Sequence, residues 1–262
     1  MIHINCVRWG DKYDISYVNR LYSMVKRNMS MDFKFYCQTD DTRGMNVEIE
    51  HLPFLEDLPN STPQQMWDSG EYSRGLPRLW DRPKLNYWKP NGWGIKGTKM
   101  YFDLDLIIQK DLTPLIESYE EGEDKPMIGR SWWHNMDDEA KPLWLKNHGA
   151  RVNGGCYIWN DKQGKPIWDH ISKKGNAEKA YFIFTGGTDN YLTEMHMDKF
   201  KFIPPSEFYS FNRGCEWPDD IHSYKHRPEK SICVFNTDVG NHLHFELHEA
   251  AKGWKWVSGY WW

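Results

Sequence analysis

The sequence predicts a single α/β domain with a mixed, mostly parallel central sheet that is flanked by helices. The first forty residues are the main evidence, because they read as a strand, a helix and a second strand that ends before Thr39-Asp40-Asp41. An opening of this length predicts a right-handed βαβ unit, and such units build parallel sheets. The 262 residues contain no internal repeat and no low-complexity linker, so one domain is expected.

Apolar spacing predicts the individual elements. In the first helix the apolar residues recur every three or four positions, at Ile15, Val18, Tyr22, Val25 and Met29. Short apolar runs predict strands at 2–7, 33–37, 98–102, 127–129, 155–159, 200–203 and 231–235. Thr113 before Pro114 predicts a helix start with the threonine at the cap. Residues 53–97 are irregular, apart from a short helix predicted at 79–88.

Composition argues against several kinds of partner. The 33 basic and 37 acidic residues give a formal net charge of −4, so a general electrostatic attraction to nucleic acid is not expected. No stretch approaches the roughly 18 apolar residues of a membrane-spanning helix, and the N-terminus does not resemble a signal peptide. The five cysteines are far apart and form no C-x-x-C pair, so we expect free thiols and a cytoplasmic location.

Aromatic residues make up 16% of the chain and include 15 tryptophans. Several lie among polar residues, as in Trp132-Trp133-His134 and Trp254-Lys255-Trp256. Exposed indole rings can stack on the C–H faces of sugar rings, and the alternative is ordinary packing with the ring N–H at an interface. Composition leaves both interpretations open.

Asp103-Leu104-Asp105 is the sharpest indication of chemistry, because it directly follows an apolar strand. In an extended backbone residues i and i+2 point the same way, so the two carboxylates can converge on one ion. Mg²⁺ and Mn²⁺ prefer oxygen ligands, and a diphosphate can fill their remaining positions. Since burying two carboxylates without a counter-charge is unfavourable, the pattern predicts a divalent metal site.

Three segments carry a resemblance to a known group of enzymes. The segment from Tyr101 to Ile108, followed by Lys110-Asp111-Leu112, resembles the D-x-D segment of nucleotide-diphospho-sugar glycosyltransferases with the GT-A fold. Asn153-Gly154-Gly155 is similar to the Asn-Gly-Gly strand of these enzymes, and Gly187-Thr188-Asp189-Asn190 to a later acidic stretch. The sequence is most similar to glycosyltransferase family 8-like and bacterial capsule or lipopolysaccharide-type members. The resemblance implies a Rossmann-like GT-A fold and a hexosyltransferase-type enzyme of polysaccharide biosynthesis.

The resemblance also implies roles for particular residues. Asp103 and Asp105 would hold Mn²⁺ or Mg²⁺, and Asp103 would also contact the donor, a UDP- or GDP-linked sugar. The other donor-binding residues would be Tyr13, Asp40, Arg78, Lys84, Asn153 and Gly154. The catalytic set would be Asp189, Lys84 and Asn153, with a fixed cation stabilising charge on the diphosphate. The nucleotide-binding half would span about 1–110, and the half that binds a carbohydrate acceptor about 111–262.

The third metal ligand is open between three residues. Related enzymes supply a histidine after a C-terminal strand, within a His-x-x-Gly-x-x-Lys-Pro pattern. In this chain Asn236 stands at the equivalent position and no Lys-Pro follows. His242 and His244 come slightly later and could replace that histidine through a longer loop; His242 is the ligand we predict.

Two other functions fit parts of the same sequence. A nucleotidyltransferase on a related fold would also use metal-bound carboxylates, although such enzymes usually carry a Gly-rich, basic loop after the first strand. A non-catalytic sugar-binding module would use its exposed tryptophans, and its glycan binding would be indifferent to Asp103 and to Mn²⁺.

Overall fold

The computed structural model describes residues 1–10, 13–55, 79–122, 124–131, 150–173, 176, 188–211, 224–235 and 247–262. Within these ranges the strands are β1 (Ile2–Arg8), β2 (Phe33–Thr39), β3 (Ile49–Leu52), β4 (Lys99–Phe102), β5 (Leu106–Ile108), β6 (Met127–Arg130), β7 (Val152–Trp159), β8 (Lys201–Phe202), β9 (Phe208–Ser210) and β10 (Ile232–Val234). The helices are α1 (Ile15–Arg27), α2 (Thr113–Glu121), α3 (Asp161–Ile171), α4 (Thr188–His196), α5 (Leu247–Gly253) and α6 (Lys255–Tyr260). Three further segments are 3-10 helices, at Leu79–Trp88, Gly92–Gly94 and Met197–Lys199.

The central sheet has seven strands in the order β3-β2-β1-β4-β7-β6-β8. Parallel pairs join β3 to β2, β2 to β1, β1 to β4 and β6 to β8, whereas β7 runs antiparallel to both of its neighbours. The opening strand–helix–strand unit therefore forms the parallel part of the sheet, and the predicted mixed, mostly parallel α/β architecture is confirmed. A smaller sheet of three strands, in the order β5-β10-β9, lies beside it.

Apolar side chains cover both faces of the central sheet. On one face, alternate residues of β1 such as Ile2 and Ile4 pack with Val18 and Leu21 of α1. On the other face, Tyr157 and Trp159 of β7 belong to a second buried cluster, which includes Leu85, Tyr87 and Trp88 of the 3-10 segment. Trp88, Trp159 and Trp261 are each no more than 2% exposed, so core packing accounts for these tryptophans. Trp132 and Trp133 lie outside the described residues.

Local signals set the ends of the first helices. The Asp14 side chain accepts the Ser16 N–H at 2.8 Å and caps α1, as expected for an aspartate at this position. The predicted cap at Thr113 is wrong by one residue, because Leu112 occupies that place and Thr113 is already helical. The Thr113 hydroxyl instead accepts the Ser30 N–H at 3.1 Å and ties α2 to the loop after α1.

The described cysteines Cys6, Cys37, Cys156 and Cys233 are buried free thiols, as the sequence predicts. Among the helices that the structure describes, none combines the length and the apolar character that crossing a bilayer requires.

Two imidazoles, of His170 and the buried His196, join α3 to α4 through Tyr191. The Tyr191 hydroxyl lies 2.8 Å from Nδ1 of His170 and 2.9 Å from Nε2 of His196. Burial lowers the pKa of His196 to about 4. The nearby charges of His170 and Lys199 also lower this pKa, whereas the charge of Asp198 raises it. Burial and the charges of Lys173 and Lys199 also lower the pKa of His170. Both imidazoles are therefore neutral in the folded protein at pH 7.

This pair should make the fold sensitive to mild acid. Because the folded pKa of His196 is below the unfolded value of about 6.5, the unfolded chain binds more protons, and stability falls as pH drops below that value. For a side chain only 2% exposed, we expect the free energy of unfolding to fall by about 2 kcal/mol between pH 7.5 and pH 5. Urea titrations at the two pH values would measure this. His196→Gln keeps a hydrogen-bonding side chain and should lose most of the pH dependence; equal slopes in both proteins would contradict the assignment.

Candidate active site

The predicted functional residues meet at one edge of the central sheet. Because β1, β2 and β4 are parallel, their carboxyl ends lie together, and Tyr13, Asp40 and Asp103 follow these ends. The antiparallel β7 begins at the same edge, where Asp103 N–H donates to the Gly155 carbonyl at 2.8 Å. Ligands of open α/β sheets bind at this edge.

Asp103 is held by two hydrogen-bond donors. Lys84, from the 3-10 segment Leu79–Trp88, places its Nζ 2.7 Å from Oδ1 and 2.8 Å from Oδ2 of Asp103. The Tyr101 hydroxyl donates to Oδ1 at 2.7 Å. The side chains of Lys84 and Asp103 are 13% and 25% exposed, so the ion pair is shielded on one side and open to a ligand on the other.

Stacked aromatic rings pack next to this ion pair. The Tyr101 ring stacks on Tyr157 with centroids 4.7 Å apart, and Tyr157 stacks on Trp88 at 4.8 Å. The Lys84 ammonium lies 5.7 Å from the centroid of the Tyr101 ring. The backbone carbonyl of Lys84 accepts a hydrogen bond from the Tyr157 hydroxyl at 3.3 Å. Burial and the charge of Asp103 raise the pKa of Tyr101 well above its ordinary value, so this phenol remains a donor.

Asp105 shares the site with Tyr13. Burial is the main cause that raises the pKa of Tyr13 well above its ordinary value. The charges of Asp105 and Asp103 and a hydrogen bond with Asp105 raise this pKa further. One tyrosine side chain thus lies within electrostatic reach of both carboxylates. The backbone carbonyl of Asp105 accepts the Phe235 N–H at 3.0 Å, so the small sheet fixes the position of this turn.

An irregularity in β7 opens the backbone beside Asp103. Ile128 of β6 pairs with Tyr157, but the next residue, Gly129, pairs with Asn153, so residues 154–156 have no partner on β6. Gly154 N–H is therefore available to donate to Oδ1 of Asp189, at the first turn of α4, at 2.9 Å. Such irregularities redirect the backbone and often lie next to functional sites.

A Cβ at either glycine of this segment would displace a neighbouring polar side chain. A Cβ on Gly154 would collide with the Asp189 carboxylate, and a Cβ on Gly155 would lie 2.8 Å from Oδ1 of Asn153. The latter Cβ would also be in van der Waals contact with Oδ2 of Asp103, at 3.7 Å. The side-chain Oδ1 of Asn153 accepts the Gly155 N–H at 2.9 Å, which turns the side-chain amide nitrogen of Asn153 away from this bond.

Asp40 joins the loops that follow β1 and β2. Its Oδ2 accepts the Gly10 N–H at 3.1 Å. Arg8, which the sequence did not single out, donates to the backbone carbonyls of Tyr13 and Asp41, both at 3.1 Å. These bonds hold the two loops together at the outer end of the site.

The residues present fit a hard divalent cation. Asp103 and Asp105 supply carboxylate oxygens, the ligands that Mg²⁺ and Mn²⁺ prefer, and the side chain of Asp103 is 25% exposed, so an ion can reach it. Within the described ranges no group of three or more His, Cys, Asp or Glu side chains could hold a metal ion. The predicted third ligand, His242, and its alternatives Asn236 and His244 lie outside these ranges, as does Arg78.

Comparison with known proteins places the fold. No family model and no curated protein matches the chain. The galactosyltransferase LgtC, solved with donor and acceptor sugar analogues, is 12% identical, with a TM-score of 0.61 over 98% of this chain and 95% of that chain. Mouse xyloside xylosyltransferase 1 is 10% identical, with a TM-score of 0.55 over 89% of this chain and 97% of that chain. The bifunctional glycosyltransferase WbbM is 12% identical, with a TM-score of 0.57 over 90% of this chain and 46% of that chain.

The likeness extends over nearly the whole chain, so it concerns the complete arrangement of sheet and helices and not one βαβ unit. At identities of 10–12% it is a likeness of fold. The seven-stranded mixed sheet and these three neighbours together show that the chain has the GT-A glycosyltransferase fold.

Proposed function

We propose that this chain is a glycosyltransferase that moves a sugar from a UDP- or GDP-linked donor to a hydroxyl group of a carbohydrate acceptor. The observation that carries the proposal is the Asp103–Lys84 ion pair beside Asp105, at the carboxyl end of β4 in a GT-A fold. A carboxylate pair and a fixed cation at this edge match the needs of a leaving nucleoside diphosphate.

Asp103 and Asp105 would hold Mn²⁺ or Mg²⁺, with His242 as the third ligand and His244 or Asn236 as its alternatives. When bound, such an ion neutralises charge on the diphosphate and orients it. The support for this metal dependence is that Tyr13 lies within electrostatic reach of both carboxylates and that the side chain of Asp103 is 25% exposed.

Lys84 would stabilise the diphosphate as the bond to the sugar breaks. Its ammonium is fixed by Asp103 and lies over the Tyr101 ring, so little reorganisation is needed when negative charge develops. Arg78, which precedes the same 3-10 segment, would assist it. Tyr13 and Asp40 would bind the nucleoside, because they follow the first two parallel strands, where nucleotides bind in such sheets.

The glycine segment of β7 would hold the donor sugar. Gly154 brings its backbone close to Asp189, and the amide nitrogen of Asn153 has no hydrogen-bond partner among the described residues. Asn153, Gly154 and Asp189 would therefore contact the reacting sugar. The acceptor would bind to the part of the chain within 111–262, with the tryptophans near Trp132. The complex of LgtC with donor and acceptor analogues supports a carbohydrate partner on this fold.

A panel of UDP- and GDP-linked sugars, each with and without Mn²⁺, tests the proposal. The cognate donor should raise the melting temperature in a Mn²⁺-dependent way, because a ligand that binds only the folded state stabilises it. Incubation with an acceptor should then release a nucleoside diphosphate. Release of pyrophosphate would identify a nucleotidyltransferase instead. Glycan binding that is indifferent to Mn²⁺, with no donor stabilised, would identify a sugar-binding module.

Gly154→Ala should lower kcat/KM by about 100-fold, because the new Cβ displaces the Asp189 carboxylate and small displacements of catalytic groups have effects of this size. Steady-state kinetics with the cognate donor would measure it. Gly259→Ala is the matched control: this glycine lies in α6, and a Cβ there meets nothing within 4 Å. Similar kinetics in the two variants would argue against a role for the Gly154–Asp189 contact.

A further inference from the structure

We propose that Tyr101 is a positioning residue that decides which oxygen of Asp103 can bind the metal, and so favours Mn²⁺ and Mg²⁺ over Ca²⁺. The inference rests on the proposed function, because it assumes that the carboxylate pair holds a divalent ion. It adds Tyr101, which lies two residues before Asp103 in the sequence and would touch neither substrate nor metal.

The hydrogen bonds of Asp103 leave one direction of approach. Each carboxylate oxygen offers about two acceptor sites. Oδ1 accepts the Tyr101 hydroxyl at 2.7 Å and forms an ion pair with the Lys84 ammonium, also at 2.7 Å, so a hydroxyl proton and an ammonium both lie against this oxygen. Oδ2 accepts a hydrogen bond from Lys84 at 2.8 Å, which leaves it one acceptor site. A metal ion can therefore bind Asp103 through Oδ2 alone.

Tyr101 cannot easily move to release Oδ1. Its side chain is 1% exposed, its ring stacks on Tyr157, and it also contacts Tyr87 at 5.5 Å between centroids. The carboxylate thus meets a fixed donor on one oxygen, which prevents it from turning both oxygens toward a metal.

Single-oxygen binding discriminates between cations. Mg²⁺ requires near-octahedral geometry and Mn²⁺ takes the same form, whereas Ca²⁺ accepts bidentate carboxylates and a larger number of ligands. Removing the Tyr101 hydroxyl frees one site on Oδ1 and allows bidentate binding. Loss of a partner that orients a metal ligand typically weakens binding 10- to 100-fold. For Mn²⁺ nothing compensates this loss of affinity. For Ca²⁺ the added bond to the second oxygen of Asp103 offsets it.

The test measures metal binding without any donor or turnover. Electron paramagnetic resonance of free Mn²⁺ gives the Kd of Mn²⁺, and competition gives that of Ca²⁺. Tyr101→Phe should raise the Kd of Mn²⁺ about tenfold and leave the Kd of Ca²⁺ nearly unchanged. The Kd of Ca²⁺ divided by the Kd of Mn²⁺ should therefore fall about tenfold. Tyr87→Phe is the matched control, because this buried phenol belongs to the same cluster and donates to the Cys6 carbonyl at 2.7 Å. It should leave both constants unchanged.

A replacement by 4-aminophenylalanine at position 101 restores a hydrogen-bond donor on the same ring and should restore Mn²⁺ affinity; it also serves if Tyr101→Phe fails to fold. Equal losses for the two ions, or no loss in Tyr101→Phe, would overturn the inference while leaving the proposed function in place. Absence of saturable Mn²⁺ binding to the wild-type chain would overturn the metal dependence itself, and the inference with it.

Discussion

Asp105→Asn should reduce Mn²⁺-dependent binding of the donor by more than about 100-fold. Losing a partner of a metal ligand already weakens binding 10- to 100-fold, so losing the charge of a ligand itself should weaken binding more. The substitution preserves the size of the side chain and an oxygen that can accept the hydrogen bond from Tyr13, so the fold should persist. Isothermal titration with the nucleotide sugar, with and without Mn²⁺, would measure the change.

Asp169→Asn is the control for Asp105→Asn. Asp169 makes an exposed ion pair with Lys165 on α3, and its change removes the same charge from the exposed face of that helix. Exposed pairs of this kind contribute little to stability. Donor affinity should therefore equal that of the wild type. If Asp105→Asn bound the donor as tightly as this control does, the assignment of Asp105 to the metal would be wrong.

Lys84→Met should lower kcat/KM by about 100- to 1000-fold, the range seen when one fixed donor to a developing negative charge is removed. Methionine retains the apolar stem that packs over Tyr101 but not the ammonium. Removing the ammonium takes away one orienting partner of Asp103 but also a cation that competes with the metal, so these effects offset and Mn²⁺ affinity should change much less than turnover. The expected signature is a loss of turnover with metal affinity preserved.

Lys165→Met on the exposed face of α3 supplies the comparison for Lys84→Met, and its kinetics should match the wild type. Turnover and Mn²⁺ affinity are measured separately, by steady-state kinetics and by titration of the metal-free protein. A parallel loss of both in Lys84→Met would mean that Lys84 merely maintains the shape of the site. Unchanged turnover would exclude it from the catalytic set.

Local spacing predicts much of this fold, because the relevant signals are short. The strand–helix–strand opening and the apolar run before Asp103 follow from residues that are neighbours in sequence. β3 was not predicted, since it has four residues, of which Glu50 and His51 are exposed. β9 was also missed, because what makes it a strand is its pairing with β10, a distant segment.

The site could be predicted only in part for the same reason. Asp103 and Asp105 follow from an i, i+2 spacing that any reader of the sequence can see. The role of Tyr101 depends on a ring that stacks from β7, and no local pattern indicates that contact. Tyr13 was expected to bind the donor, and in the structure its side chain makes a hydrogen bond with Asp105. Its role in binding the nucleoside stays a prediction.

The position of β7 also limits how the protein can be dissected. β4 lies between β1 and β7, and residues 99–102 pair with residues 156–159 along its whole length. A fragment truncated near residue 110 would present that unpaired backbone to other chains, which is a route to aggregation. Residues 1–110 are thus not a separable module, and chimaeras that exchange the later part of the chain would have to leave β7 with its original neighbours.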